Sequence, residues 1–93
     1  MNNSVNGLSR DVTITNAFGL HARAAAKIAK LVQNVKSKVW LIKAGEKADA
    51  SSIIDILTLA CEKGSKITLK IDDQSDLEIL NKLADLVESG FGE

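Results

Sequence analysis

A chain of 93 residues, 45% hydrophobic and 26% charged, holds a single domain, because chains this short rarely divide into two cores. Twelve Lys and Arg balance twelve Asp and Glu, which argues against a nucleic-acid binder held by phosphate neutralisation. No segment approaches the roughly 18 consecutive apolar residues of a membrane helix, and the opening Met1-Asn2-Asn3-Ser4 lacks the basic start and apolar run of a secretion signal.

The charge is unevenly spread: eight basic residues against two acidic up to Lys47, then four against ten from Ala48 onward. Such asymmetry reads either as solvated helix faces or as a basic face for an acidic partner. A lone cysteine, Cys61, closes no internal disulfide, so the chain reads as cytoplasmic. Cys61 has no metal-ligand spacing around it and reads as a buried small hydrophobe rather than a reactive thiol.

Residues 1–8 carry Asn2, Asn3, Asn6 and Gly7 without periodicity and read as a flexible tail, leaving 9–93 as the domain. Val12 and Ile14 alternate with Asp11, Thr13 and Thr15, the period of a strand with one wet face. After Asn16-Ala17-Phe18-Gly19, apolar Ala24, Ile28, Leu31, Val32 and Val35 oppose Lys27, Lys30, Gln33 and Asn34, giving an amphipathic helix with a basic outer face. Lys38–Lys43 is β-branched and aromatic, and Ala44-Gly45-Glu46 turns it into a weaker hairpin arm over Lys47–Ala50. Ser52 followed three residues later by Asp55 is a helix start of capping-box type, with an apolar run to Cys61 and a stop at Gly64.

Lys66–Asp72 then alternates as a fourth strand. A last helical stripe from Ser75 or Asp76 runs through Leu77, Leu80, Ala84 and Val87 to Ser89-Gly90. The order β-α-β-β-α-β-α, with strands apolar on one side only, predicts an α+β fold: a four-stranded antiparallel sheet covered on one face by three helices.

The single histidine, His21, falls where the first loop enters the first helix. The opening N–H groups of a helix lack intrahelical acceptors and, with the positive dipole end, attract anions. Gly19 permits a sharp turn just before, and Arg23 offers planar charge-assisted donors to phosphoryl oxygens, with the N–H groups of Ala22 and Arg23 beside them. Imidazole there is suited to hold a phosphoryl group as a nucleophile, being partly neutral near pH 7. On spacing alone a lone histidine in a small domain is more often an ordinary surface or capping residue. One histidine and one cysteine supply neither a hydrolase triad nor a metal site.

Gly19-Leu20-His21-Ala22-Arg23 followed by Ala25 resembles the active-site signature of the HPr family, the histidine phosphocarriers of the bacterial phosphotransferase system. The resemblance extends over residues 9–93: the element order matches the family's open-faced β-sandwich, 31 positions separate His21 from Ser52 as they separate the family's histidine and regulatory serine, and Gly64 falls in the expected turn. Thr15–Gly19 and Ser89-Gly90-Phe91 are similar to the nitrogen-related NPr branch.

The resemblance implies a carrier rather than an enzyme, with no cofactor or metal. It implies that His21 accepts phosphate at Nδ1 from phosphorylated enzyme I, itself charged by phosphoenolpyruvate. The phosphate would then pass to an EIIA-type protein for sugar uptake or nitrogen-related regulation. It places partner docking on Lys27 and Lys30 of the first helix and on Ile53 and Ile54 of the second, and a monomer is expected.

Ser52 is read as a helix N-cap with Asp55 as reciprocal partner and, through the resemblance, as a target of an HPr kinase/phosphorylase, with Ser51 the competing acceptor if the register shifts. Two departures stand out. Ala24 replaces the motif proline, and Phe18 replaces a small polar residue common in sugar-transport members, so the resting histidine is expected to be held differently. Phe18 itself reads as a partner contact or as a loop anchor. The alternatives are a non-carrier regulatory binding protein controlled by serine phosphorylation, and a single-stranded RNA module. Phe18, Trp40 and Phe91 are too few aromatics for the stacking face of such a module.

Overall fold

The computed structural model describes residues 8–93. The expected tail falls outside these but for Leu8, which already packs against the core. Four strands, β1 (Ser9–Thr13), β2 (Val39–Lys43), β3 (Glu46–Asp49) and β4 (Lys66–Ile71), form one antiparallel sheet in the order β1-β4-β2-β3. Helices α1 (Ala22–Leu31), α2 (Ile53–Thr58) and α3 (Leu77–Glu88) complete the α+β open-faced sandwich. Strand alternation decides the faces. Val12, Val39, Leu41, Ala48, Ile67, Leu69 and Ile71 point inward and are buried against Ala24, Ala25, Ile28, Ile56, Leu80, Leu83, Ala84 and Val87 of the helices. On the open face Trp40 lies under the Lys47 ammonium, 4.2 Å from the ring centroid, and its Nε1–H donates to Asp72 at 3.2 Å.

The sheet continues past β1 through Ile14, whose N–H donates to the Ser65 carbonyl at 2.9 Å and whose carbonyl accepts from Gly64 at 2.7 Å. This pairing leads the chain directly into the loop that holds His21.

Three details differ from the expected elements. α2 ends at Thr58 instead of running to Cys61, because Ala60 takes a left-handed φ of 52° and the Lys43 ammonium draws the Leu59 and Ala60 carbonyls to 3.1 and 2.9 Å. Ser52 caps α2 with its hydroxyl accepting from the Asp55 N–H at 3.2 Å, but the Ser52 N–H goes to the Asp49 carbonyl at 3.0 Å, so the reciprocal half of the capping box is not made. Leu77 stays partly exposed while Leu83 takes a core position. The stop at Ser89-Gly90 is as expected. Gly90 (φ 73°) and Phe91 (φ 61°) turn the chain back, with the Phe91 side chain buried.

Candidate functional site

Asn16 organises the loop between β1 and α1. Its carbonyl accepts from the Gly19 N–H at 3.1 Å and its side-chain amide donates to the Gly19 carbonyl at 2.8 Å, clamping one residue through both its flanking peptides. Gly19 has φ 64°, and a Cβ at this position would stand 2.3 Å from the Cys61 carbonyl oxygen. That carbonyl instead accepts from Leu20 N–H at 2.9 Å, tying the loop to the segment after α2. Leu20 is buried, and the chain emerges at His21.

His21 is the N-cap of α1, with φ −78° and ψ 177°, and its Nδ1 accepts from the Arg23 N–H at 3.2 Å. Nδ1 therefore carries a lone pair directed at the unsatisfied start of the helix, where amide dipoles favour an anion. The Nε2 side of the ring meets the Glu93 carboxylate. The His21 ring, and after it the Asn16 amide at 3.1 Å from Oε1, hold the Glu93 carboxyl below its usual range. Phe18 stands edge-on to the imidazole, with centroids 6.3 Å apart, and is 80% exposed. Phe18, His21, Arg23 and Glu93 line one shallow depression open to solvent.

The remaining sequence candidates divide. Ala22 and Arg23 form the first helical turn with exposed side chains, and Ala24 in the motif-proline position is fully buried without interrupting the helix. Lys27 lies on the same helix, but its ammonium donates to the Phe91 carbonyl at 2.6 Å, while Lys30 is exposed. Ser52 caps α2, and Ser51 hydrogen-bonds Asp49 through both its N–H and its hydroxyl. α2 packs beside α1 and presents Ile54, 75% exposed, with Ile53 and Leu57 partly so. Burial raises the Cys61 thiol above its usual range.

Sequence reading missed Asn16, the Cys61 carbonyl and Glu93. The first looked like one more loop residue, and the other two lie far along the chain with no local pattern to link them to His21.

A half-buried imidazole at a helix N-terminus, on an open-faced sandwich with a partly apolar rim, stands in a shallow open depression rather than an enclosed cavity. Residues 8–89 match the family model described as the PTS HPr component phosphorylation site. A phosphocarrier protein HPr of Cupriavidus necator is 42% identical over 86 residues, covering 92% of this chain and 97% of that protein. A phosphocarrier protein NPr of Shewanella violacea is 37% identical, covering 92% and 94%. The crystal structure of HPr-C-His from Thermoanaerobacter tengcongensis superposes with a TM-score of 0.85 at 34% identity, covering 91% of this chain and 96% of that one. The chain belongs to the HPr phosphocarrier family of the phosphotransferase system.

Proposed function

We propose that this protein accepts a phosphoryl group on His21 Nδ1 from phosphorylated enzyme I, originating in phosphoenolpyruvate, and delivers it to an EIIA-type acceptor. The observation that carries the reading is the position of Nδ1, an unprotonated acceptor aimed into the first turn of α1. A phosphoryl group bonded to Nδ1 takes the place of the Arg23 N–H interaction. Its oxygens then meet the Ala22 and Arg23 amides, and the exposed Arg23 guanidinium stands nearby to share their charge. The ring supplies the nucleophile without an auxiliary base and is regenerated when the group leaves, so the protein is a carrier that needs no cofactor or metal.

Both partners would use one cytoplasmic docking surface. Phe18, Ile53 and Ile54 supply exposed apolar contact, and Arg23, Lys27 and Lys30 supply positive charge on α1. Acidic partners would be steered towards the histidine, and each would meet the carrier as a monomer. Ser52 lies at the edge of this apolar patch with its hydroxyl at the start of α2. A phosphate placed there by an HPr kinase/phosphorylase adds roughly −1.5 to −2 charge, tolerated by the helix start and repelling an acidic partner.

Incubation with enzyme I and phosphoenolpyruvate tests the reading. Acid-labile phosphate is expected on the wild-type protein and none on His21→Ala, with both giving the same circular dichroism spectrum. Failure of the wild type to take phosphate from either a sugar-type or a nitrogen-type enzyme I would turn the assignment to a non-carrier regulator acting through Ser52.

A further inference from the structure

We infer that the groove between α1 and α3 is a docking site for a partner protein that presents an acidic amphipathic helix. The inference stands whether or not His21 carries phosphate. The groove measures about 790 Å³. α3 packs on β1 and β4 and α2 on β3, and α1 touches both helices. α1 therefore lies between them, and the groove runs along its flank away from the Ile53 and Ile54 patch of α2.

The walls are two helical stripes. Lys27, Lys30 and Leu31 share one face of α1, and Ile79, Lys82 and Leu86 share one face of α3. Leu31, Ile79 and Leu86 are half-buried against the core and form the floor, whereas the three lysines are exposed at the rim. Such a floor between two helices receives a third helix through its own i, i+3, i+4 and i+7 residues. From Ile79 to Ser89 the α3 wall advances about 15 Å at roughly 1.5 Å per residue, room for about three turns of the incoming helix.

Charge selects the occupant. Three ammonium groups against the one carboxylate of Asp85 leave the rim positive. Lys82 meets Glu78 at 3.4 Å in an exposed i,i+4 pair, weak enough for a partner's carboxylate to replace. Lys27 holds the Phe91 carbonyl at 2.6 Å, which fixes its charge at one end of the groove. A helix with a leucine-rich stripe edged by Glu or Asp matches this groove in shape and in sign. A second copy of the chain offers no such helix. Its α1 is edged by the same lysines, its α3 exposes Leu77 alone among large apolar residues, and α2, with Ile53, Ile54 and Leu57, has six residues. An anionic bilayer needs apolar side chains that protrude, and these are recessed.

The test is an NMR titration of the intact, isotope-labelled protein with a synthetic helix-forming peptide of about 14 residues, its leucines at i, i+3, i+4 and i+7 and glutamates on either side. Amide shifts are expected along residues 27–34 and 79–89, with a Kd of about 10–100 μM at low salt. The same leucines edged by lysine should bind at least about tenfold more weakly, and glutamates without the leucines should not bind. Lys82→Glu, an exposed change on α3, should weaken the acidic peptide about fivefold and accept phosphate from enzyme I at the wild-type rate. Shifts centred on α2 and His21, equal binding of the two charged peptides, or no binding at millimolar peptide would overturn the assignment. So would slowed phosphate uptake in Lys82→Glu, which would merge the groove with the phosphoryl-transfer surface. A dimer in sedimentation that Lys82→Glu dissolves would give the groove to a second copy, and Lys82-dependent attachment to anionic phospholipid vesicles in preference to the peptide would give it to a membrane.

Discussion

The site's sharpest constraint is on a residue without a side chain. Gly19 combines a φ of 64° with a carbonyl that would lie 2.3 Å from any added Cβ, so an alanine there meets both backbone strain and a backbone clash. Because the Cys61 carbonyl also holds Leu20, relief of the clash must move the loop that delivers His21. Gly19→Ala is expected to lose about 1–3 kcal/mol in urea denaturation. It is also expected to accept phosphate more slowly than wild type under conditions where both remain folded. A variant with wild-type stability would show that the loop and the Cys61 carbonyl separate freely.

The turn at this glycine was legible from the local pattern, as was a histidine at a helix start. Its close approach to Cys61 was not, because no local period links residues that only the folded sheet brings together. The same reason hides Glu93.

At the level of elements, the strands and the long helices follow from periodicity, since a face that must be buried enforces its own spacing. Their ends do not, because ends are decided by hydrogen bonds to other elements. α2 is shortened by Lys43, which reaches across from β2. Asp76, one of the two positions from which the last helical stripe is expected to run, is 4% exposed and accepts from the Lys36 N–H at 2.9 Å and the Ser37 N–H at 3.1 Å. It is thus a splice between the α1–β2 connection and the start of α3, joining two segments with no helix or strand to pair them. Removing it leaves two amides without acceptors in a part-buried place. Asp76→Ala should therefore lower the urea midpoint by the equivalent of about 2–4 kcal/mol with little change in m-value. A loss below about 0.5 kcal/mol would mean that water replaces the carboxylate at no cost.

Across the whole molecule the basic half of the sequence does not become a basic face. Arg10 turns to Asn81 on α3, Lys38 pairs with Asp49, Lys43 caps α2 and Lys47 covers Trp40, so only Arg23, Lys27 and Lys30 gather on α1 near His21. Lys38 and Arg10 meet carboxylates, whereas Lys43 meets carbonyls and Lys47 a ring, so the basic residues are dispersed over the fold rather than gathered on one face. One such pair sets a pH limit on the fold. Asp49 accepts from the Lys38 ammonium at 2.8 Å and from Ser51 through both hydroxyl and N–H, and these contacts hold its carboxyl at about 2 instead of 3.8. A carboxyl harder to protonate in the folded than in the unfolded chain stabilises the fold above the unfolded value and loses that contribution as pH falls through the folded one. Lys38 is raised chiefly by its hydrogen bond to Asp49, so its share is present below its ordinary value and disappears only at alkaline pH above it. Stability should therefore be flat near neutrality and fall between about pH 4 and 2. Asp49→Asn should lower the neutral plateau by about 1 kcal/mol, modest because Lys38 is exposed and screened by solvent, and should flatten part of the acid fall. Thermal melts of the two proteins across this range decide the matter: parallel acid limbs would place the lost stability on other carboxylates, with Asp73 and Glu93, also held below their usual range, as the sources.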